Sequence, residues 1–318
     1  MPSQLARKVA QSTSVALLAL FGCASQPPYA GDFPASTQLA ISPDGKRLFA
    51  FWNDHQGAPH GRLLELDGAV VTSRRKLLVP SNLRSIEFTE DKQHLLVTTH
   101  EQGRGELLKV HLTSGHQTSL YKNQFGLAFA KETRQSDHVF LESDGNASTW
   151  KRLRDGQGRQ LSLQPFLRRG APISAVGGNL FQTVPTSPTS FLTVHGDVPS
   201  GINQLLTPST FVMRCADGDP WVCARTELFT VNDRNSYYAA GLSLFNGPRK
   251  RCDVAGKWVD LVNLSISSDG STIVFHAAIE KLGGERAIYV IKNDAECRAQ
   301  RLSLHPGEGA TVTGSSGT

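Results

Sequence analysis

The feature that most constrains this chain is a hairpin phrase that occurs twice, far apart. Residues 38–52 read Gln-Leu-Ala-Ile-Ser-Pro-Asp-Gly-Lys-Arg-Leu-Phe-Ala-Phe-Trp. Residues 261–275 read Leu-Val-Asn-Leu-Ser-Ile-Ser-Ser-Asp-Gly-Ser-Thr-Ile-Val-Phe. In the first copy, Leu39/Ile41 and Leu48/Ala50/Trp52 alternate on either side of Ser42-Pro43-Asp44-Gly45. Pro43 presets φ, Asp44 caps the turn, and Gly45 supplies the positive φ that reverses the chain. Both phrases therefore read as β-hairpins. From Asp44 to Asp269, which precedes Gly270 in the second turn, is 225 residues, or five steps of 45. A unit of that length holds four strands and cannot cover its own apolar faces, so copies must stack.

The spacing predicts an all-β fold over residues 35–306, a six-bladed β-propeller of four-stranded antiparallel blades. After the opening hairpin, the first blade takes Arg62–Leu66 and Arg75–Val79 as its outer strands. The second runs through Leu83–Phe88, the degenerate turn Thr89-Glu90-Asp91-Lys92, Leu95–Thr99, Glu106–Leu112 and Thr118–Tyr121. Its Asp91 lies 47 residues after Asp44. The third uses Phe125–Phe129, Val139–Leu141, Ser148–Leu153 and Gln160–Leu163. The fourth uses Ile173–Val176, Leu180–Val184, Ser190–Val194 and Ile202–Leu206. The fifth opens with Thr210–Cys215, returns as Trp221–Cys223, and continues over Tyr237–Phe245. The sixth adds Ala287–Ile291 and Arg298–Leu304 to the second clear hairpin. Alternation along the first strands should bury Leu39/Ile41, Ile86/Phe88, Leu127/Phe129 and Leu264/Ile266 between neighbouring blades. A β-sandwich or helix-free barrel with fortuitous hairpins is the alternative. With 29 Gly, 16 Pro and 39% hydrophobic residues among 318, the composition suits short strands and tight turns.

The N-terminus reads as an address. Residues 1–22 combine a basic start, Arg7-Lys8, with the apolar run Val15–Phe21, which is too short to span a bilayer. Leu20-Phe21-Gly22-Cys23 resembles the bacterial lipobox. The resemblance implies cleavage before Cys23, acylation of that residue (palmitate included), and lipid anchoring of the body. Ala24 and Ser25 follow, which by similarity to Gram-negative sorting patterns implies the outer membrane, with the propeller in the periplasm. Residues 23–34 are expected to be a flexible tether and 307–318 a mobile tail. The hairpin repeat in turn resembles the WD40-like repeat of TolB-type propellers, over roughly residues 35–305.

Four cysteines remain, Cys215, Cys223, Cys252 and Cys297, an even number in a chain expected to be exported. Three pairings are possible. Cys215 and Cys223 flank a predicted turn, so a cross-strand bridge fits if the register sets them opposite; Cys252 with Cys297 then follows by elimination. Without Cys-x-x-Cys spacing these thiols do not read as a zinc site.

Neither a Gly-x-Ser-x-Gly nucleophile elbow nor a hydrolase domain is found, which argues against a prolyl-peptidase-type enzyme. Asp44, Asp91 and Asp269 occupy turns, and turn geometry accounts for them together with Pro43, Gly45 and Gly270. His55 and His60 read as loop residues. No catalytic residue, metal or cofactor is expected. The formal charge of +5 falls by two once Arg7 and Lys8 leave with the leader, too little to point to nucleic acid. The expectation is a non-catalytic envelope lipoprotein, not an enzyme, serving as a protein-protein interaction scaffold for another envelope protein. Its contact loops would be Asn53–Gly61, Gln102–Gly105 and Pro185–Pro188. A propeller enzyme or ligand-binding protein acting on a glycan or lactone, metal-dependent or not, is the alternative.

Overall fold

The computed structural model describes Phe33 and residues 37–303, except 125, 134–135, 144–149, 156–165, 168–172, 177–178, 188–189, 197–199, 206, 208–209, 217–219, 233–236, 280–285 and 295. The described chain is almost entirely antiparallel β-structure. The first sheet is a meander of β1 (Gln38–Ile41), β2 (Arg47–Asn53), β3 (Pro59–Asp67) and β4 (Val70–Lys76). The second repeats it with β5 (Leu83–Phe88), β6 (His94–Glu101), β7 (Arg104–His111) and β8 (Gln117–Asn123). The third holds β9 (Leu127–Thr133), β10 (Ser136–Ser143), β11 (Trp150–Asp155) and the two-residue β12 (Phe166–Leu167). The fourth has three strands, β13 (Ile173–Val176), β14 (Asn179–Ser187) and β15 (Ser190–Gly196), followed by one helical turn, α1 (Ser200–Asn203). The last sheet has seven: β16 (Thr210–Ala216), β17 (Val222–Asn232), β18 (Tyr237–Asn246), β19 (Arg249–Ile266), β20 (Thr272–Ile279), β21 (Arg286–Lys292) and β22 (Ala299–Arg301).

Successive sheets meet through their first strands. β1 touches β5, β5 touches β9, β9 touches β13, β13 touches β16, and β16 touches β19, which also touches β1. Because side chains alternate along a strand, each meander offers one apolar face to the sheet before it and one to the sheet after it. Phe49, Phe51, Leu63 and Leu77 of the first unit pack with Ile86, Phe88, Leu95 and Val97 of the second. The opposite face of the first sheet, with Leu39, Ile41, Leu48 and Trp52, packs on Val274, Ile288, Val290 and Leu302 from the C-terminal end. Each fully buried Leu or Phe contributes roughly 1.5–3 kcal/mol. Phe33 adds an edge-on ring contact to Trp52 at 5.4 Å. At the C-terminus, the Val71 N–H donates to the Ser303 carbonyl (2.7 Å) and the Ser303 N–H to the Ala69 carbonyl (2.9 Å). This sets Ser303 parallel to Val70.

Three expectations are corrected. In the first sheet the outer strand is Val70–Lys76 rather than Arg75–Val79, because Gly68 (φ 62°) reverses the chain directly after β3. Leu77 and Val79 instead cross into the core shared with the second sheet. In place of the strand expected over Ile202–Leu206, residues 202–205 form a helical turn and its continuation, where Ile202 and Leu205, three apart, fall on one side and pack against Met213, Cys215, Cys223 and Phe245. Gln160–Leu163 lies outside the described residues, and the last strand of the third sheet is Phe166–Leu167.

The fifth and sixth units are also not separate. The 18-residue β19 pairs with β18 over Arg249–Val259 and with β20 over Trp258–Ile266, so Trp258 and Val259 serve both. The strand turns this corner at Gly256 (φ 121°), where a Cβ would come within 3.1 Å of the Trp258 indole. Trp258 is fully buried, its ring 4.9 Å from both Phe275 and Tyr289.

Candidate functional site

Three turns share one hydrogen-bonded design. Ser42 Oγ donates to Asp44 Oδ1 (2.7 Å), which also accepts from the Lys46 N–H (3.2 Å), while Ser42 Oγ accepts from the Arg47 N–H (2.8 Å). The Thr89 hydroxyl and Asp91 repeat this at 2.5 Å, with the Gln93 N–H at 2.8 Å and the His94 N–H at 3.2 Å. Ser267 and Asp269 do the same at 2.6 Å, with the Ser271 N–H at 2.9 Å and the Thr272 N–H at 3.0 Å. Gly45 (φ 66°) and Gly270 (φ 70°) take the left-handed position, and Lys92 (φ 60°) takes it in the degenerate copy. Ser42, Thr89 and Ser267 are fully buried, so each hydroxyl replaces a water partner that the backbone would otherwise lack.

The turns also bind one another. Lys92 Nζ lies 3.2 Å from Asp44 Oδ2, the Arg47 guanidinium donates to the Lys92 carbonyl (2.9 Å), and the Asp269 N–H donates to the Pro43 carbonyl (3.2 Å). Ser268 Oγ donates to Glu90 (2.7 Å), and the Glu90 N–H donates to the Glu132 carboxylate. Burial pushes the Glu132 carboxyl up, and this N–H only partly opposes it. For Asp91, burial also pushes upward, but the Thr89 hydroxyl, the Gln93 N–H and the His94 ring outweigh it and hold the carboxyl at about 2.

Between the first strands, Arg214 of β16 reaches Glu87 of β5 at 3.1 Å and donates through Nε to the Leu264 carbonyl of β19 (3.1 Å). Both side chains are largely buried, at 9% and 13% exposure. Burial draws the Arg214 pKa down, and Glu87 opposes that shift.

The loops expected to make contacts are tightly built. Asp54 Oδ1 accepts from the Gln56 and Ala58 N–H groups (2.9 and 2.8 Å), its Oδ2 meets His60 Nε2 at 3.1 Å, and His60 stacks on Trp52 at 5.3 Å. The Gln102-Gly103 turn, both residues at positive φ, borders an open recess of about 490 Å³ lined by Gln102, Arg104, Lys122, Asn123 and Gln124. Pro188 lies outside the described residues.

Sequence reasoning missed a second recess of about 320 Å³, lined by His94, Lys109, His111, Ser114, His116 and Thr118. Hairpin arithmetic could have found it: a turn centred on Gln102-Gly103 sets His94 opposite His111. Among the described residues, no group of three or more His, Cys, Asp or Glu is placed to hold a metal ion.

The cysteines pair as Cys215–Cys223 and Cys252–Cys297. The first two are register partners across β16 and β17. The second bridge joins β19 to the segment before β22, across 45 residues. Cys23 lies outside the described residues, and so do the leader and the tail.

No family model matches the chain, and no curated protein matches it. Solved structures do resemble it. An acylaminoacyl peptidase from Pyrococcus horikoshii is 13% identical with a TM-score of 0.47, covering 87% of this chain and 45% of its own. The β-propeller domain of the Trilobed protease from Pyrococcus furiosus is 14% identical with a TM-score of 0.43, covering 87% and 81%. TolB from Acinetobacter baumannii is 13% identical with a TM-score of 0.35, covering 86% and 55%. The chain thus spans about half the length of the peptidase and of TolB. These are likenesses of fold, and they fit the propeller-type succession of all-β meanders. They also correct one expectation. Because a fold of this kind occurs within a peptidase, the inference that this chain is not an enzyme no longer follows from its architecture.

Proposed function

We propose that this chain is an envelope lipoprotein, acylated at Cys23 and held at the outer membrane, whose propeller is a six-bladed ring that recognises another envelope protein through its loop tips. The observation that carries the reading is the Arg214–Glu87 bridge between β16 and β5. In a six-membered ring these strands belong to opposed blades, so the pair occupies the axis and recognition falls to the rim. The loop at Asn53–Gly61 supports this: it is exposed over much of its length yet held in one shape by Asp54. A preformed loop loses little conformational freedom on binding.

The test is purification of the chain in a detergent that preserves acyl anchors, beside Cys23→Ser and a variant with residues 54–58 replaced by Gly/Ser. The expected result is a co-purifying envelope protein lost from the loop variant, and loss of membrane association in Cys23→Ser. Membrane association unchanged in Cys23→Ser overturns the anchor. Co-purification unchanged in the loop variant overturns the rim.

A further inference from the structure

We propose that the recess lined by His94, Lys109, His111, Ser114, His116 and Thr118 binds a phosphoryl group, presented by free phosphate or by a lipid headgroup. This reading is independent of the rim loops. The register places the key side chains together: His94 pairs with His111 across β6 and β7, and Lys109 pairs with Thr118 across β7 and β8. Residues two apart share a face, so all four lie on one side of the second sheet. That side also carries Leu96 and Leu107, which pack against Leu127, Ala130 and Phe140 of the third sheet. The recess opens beyond this apolar contact, at the end of the sheet where the Thr89–Lys92 turn lies.

The hydrogen bonds fix what each ring can offer. The Ser114 N–H donates to His111 Nδ1 at 3.1 Å, so that nitrogen is the acceptor and the ring proton sits on Nε2. His111 therefore presents a donor rather than a lone pair, which suits an anion and not a metal ion. His94 is the converse. Its Nδ1 gives its proton to Asp91 Oδ2 at 2.9 Å, leaving Nε2 as an acceptor in the neutral ring. The two rings stand edge to face, 5.0 Å apart. The Lys109 ammonium forms a long ion pair with Asp91 Oδ2 at 3.8 Å, beyond hydrogen-bond distance, from which it can turn to a ligand.

Among the described residues, no carboxylate lines the recess. The nearest, Asp91, already accepts from Thr89, Gln93 and His94. Glu132, which faces Lys109 and Asp91 from β9, accepts from the Glu90 N–H, and burial raises its carboxyl. A phosphoryl group matches the set: its oxygens accept from Lys109, His111 Nε2 and the Thr118 hydroxyl, and its P–OH donates to His94 Nε2, while the Ser114 hydroxyl is spent on His111 Nδ1 at 3.0 Å. Sulfate has the same shape but no such proton. The volume, about 320 Å³, also admits the group that bears the phosphate.

The test is calorimetric titration of the full-length chain, carrying Cys23→Ser, with inorganic phosphate and with sulfate at equal ionic strength. Flotation with vesicles of phosphatidic acid, a phosphomonoester that keeps a P–OH, in phosphatidylcholine runs beside it. Binding of phosphate about tenfold tighter than sulfate is expected, and about tenfold weakening in each of Lys109→Met and His111→Phe. Thermal midpoints show that the variants fold, and Thr118→Val gives a third, conservative probe. Phosphate binding without flotation assigns free phosphate; flotation lost in Lys109→Met assigns the headgroup. No binding in either arm, sulfate equal to phosphate, or binding unchanged in the folded variants overturns the proposal.

Discussion

Arg214 and Glu87 are 127 residues apart in sequence and 3.1 Å apart in space, joined in a largely buried ion pair. Removing one partner of such a pair strands the other charge, at a cost of about 3–5 kcal/mol. Replacing both by apolar residues removes the stranded charge. Glu87→Leu and Arg214→Met are therefore each expected to be strongly destabilised. The double variant Glu87→Leu/Arg214→Met should be far less destabilised than the two singles added together. Guanidinium denaturation of all four proteins checks this, and additive losses would show that the two groups do not act as a unit.

The Asp91 carboxyl, held at about 2, links the second turn to acid stability. A folded-state pKa below the unfolded value stabilises above the unfolded pKa, near 3.9, and the contribution is lost as pH falls through the folded pKa. Asp91→Asn should therefore lie below the parent in stability at pH 5 and converge with it by about pH 2. Urea midpoints across that range provide the measurement. A gap that stays constant with pH would show that the charge itself contributes nothing.

His276 of β20 acts with the same sign but in a higher pH window. It is fully buried; burial, then the positive charge of Arg286, hold its pKa at about 4, against a partial upward pull from the Phe33 backbone. Because the unfolded imidazole takes its proton near pH 6.5, the unfolded state gains as pH drops from about 6.5 to about 4. The loss amounts to on the order of 3 kcal/mol for a shift of this size. His276→Leu should flatten stability over that window, as read from thermal midpoints at half-unit steps of pH. An unchanged slope would assign the acid sensitivity to other groups.

How much of this was legible in the sequence follows from how local each signal is. The Ser42–Gly45 and Ser267–Gly270 turns, and the alternation that buries Leu39, Ile41, Ile86 and Phe88, are written within a few residues and could be read directly. The Cys215–Cys223 bridge could be read conditionally, because a hairpin register is nearly local. The α1 turn was misread because Ile202 and Leu205 are too short a pattern to separate a strand from a helix. The continuity of β19 depends on Gly256 fitting against Trp258, a tertiary contact. Arg214 with Glu87 had no sequence signal at all, since an ion pair between separate sheets appears only once the sheets are placed. The His94–His111 pair was available from hairpin counting, but scattered histidines gave no reason to count.

The three turns also make a prediction about glycine. Gly45 and Gly270 both sit at positive φ and are closely covered: a Cβ on Gly45 would lie 2.1 Å from Thr272 Oγ1, and one on Gly270 would lie 2.7 Å from Val222 Cγ2. Alanine at either position meets left-handed strain of about 1–2 kcal/mol and a collision as well. Lys92 already bears a Cβ at φ 60° and has a long side chain paired with Asp44 in partial exposure. Lys92→Ala then gives up only a surface ion pair, worth about 0–1 kcal/mol, and Lys92→Gly relieves the strain. Urea denaturation should rank Lys92→Gly above Lys92→Ala, with Gly45→Ala losing the most against the parent. The covering contact explains that order: Thr272 Oγ1 also accepts from the Lys292 ammonium at 3.0 Å, so it cannot swing away without breaking a second bond. If Gly45→Ala proved as mild as Lys92→Ala, the packing of the first turn against the last would not be what holds these two ends of the chain together.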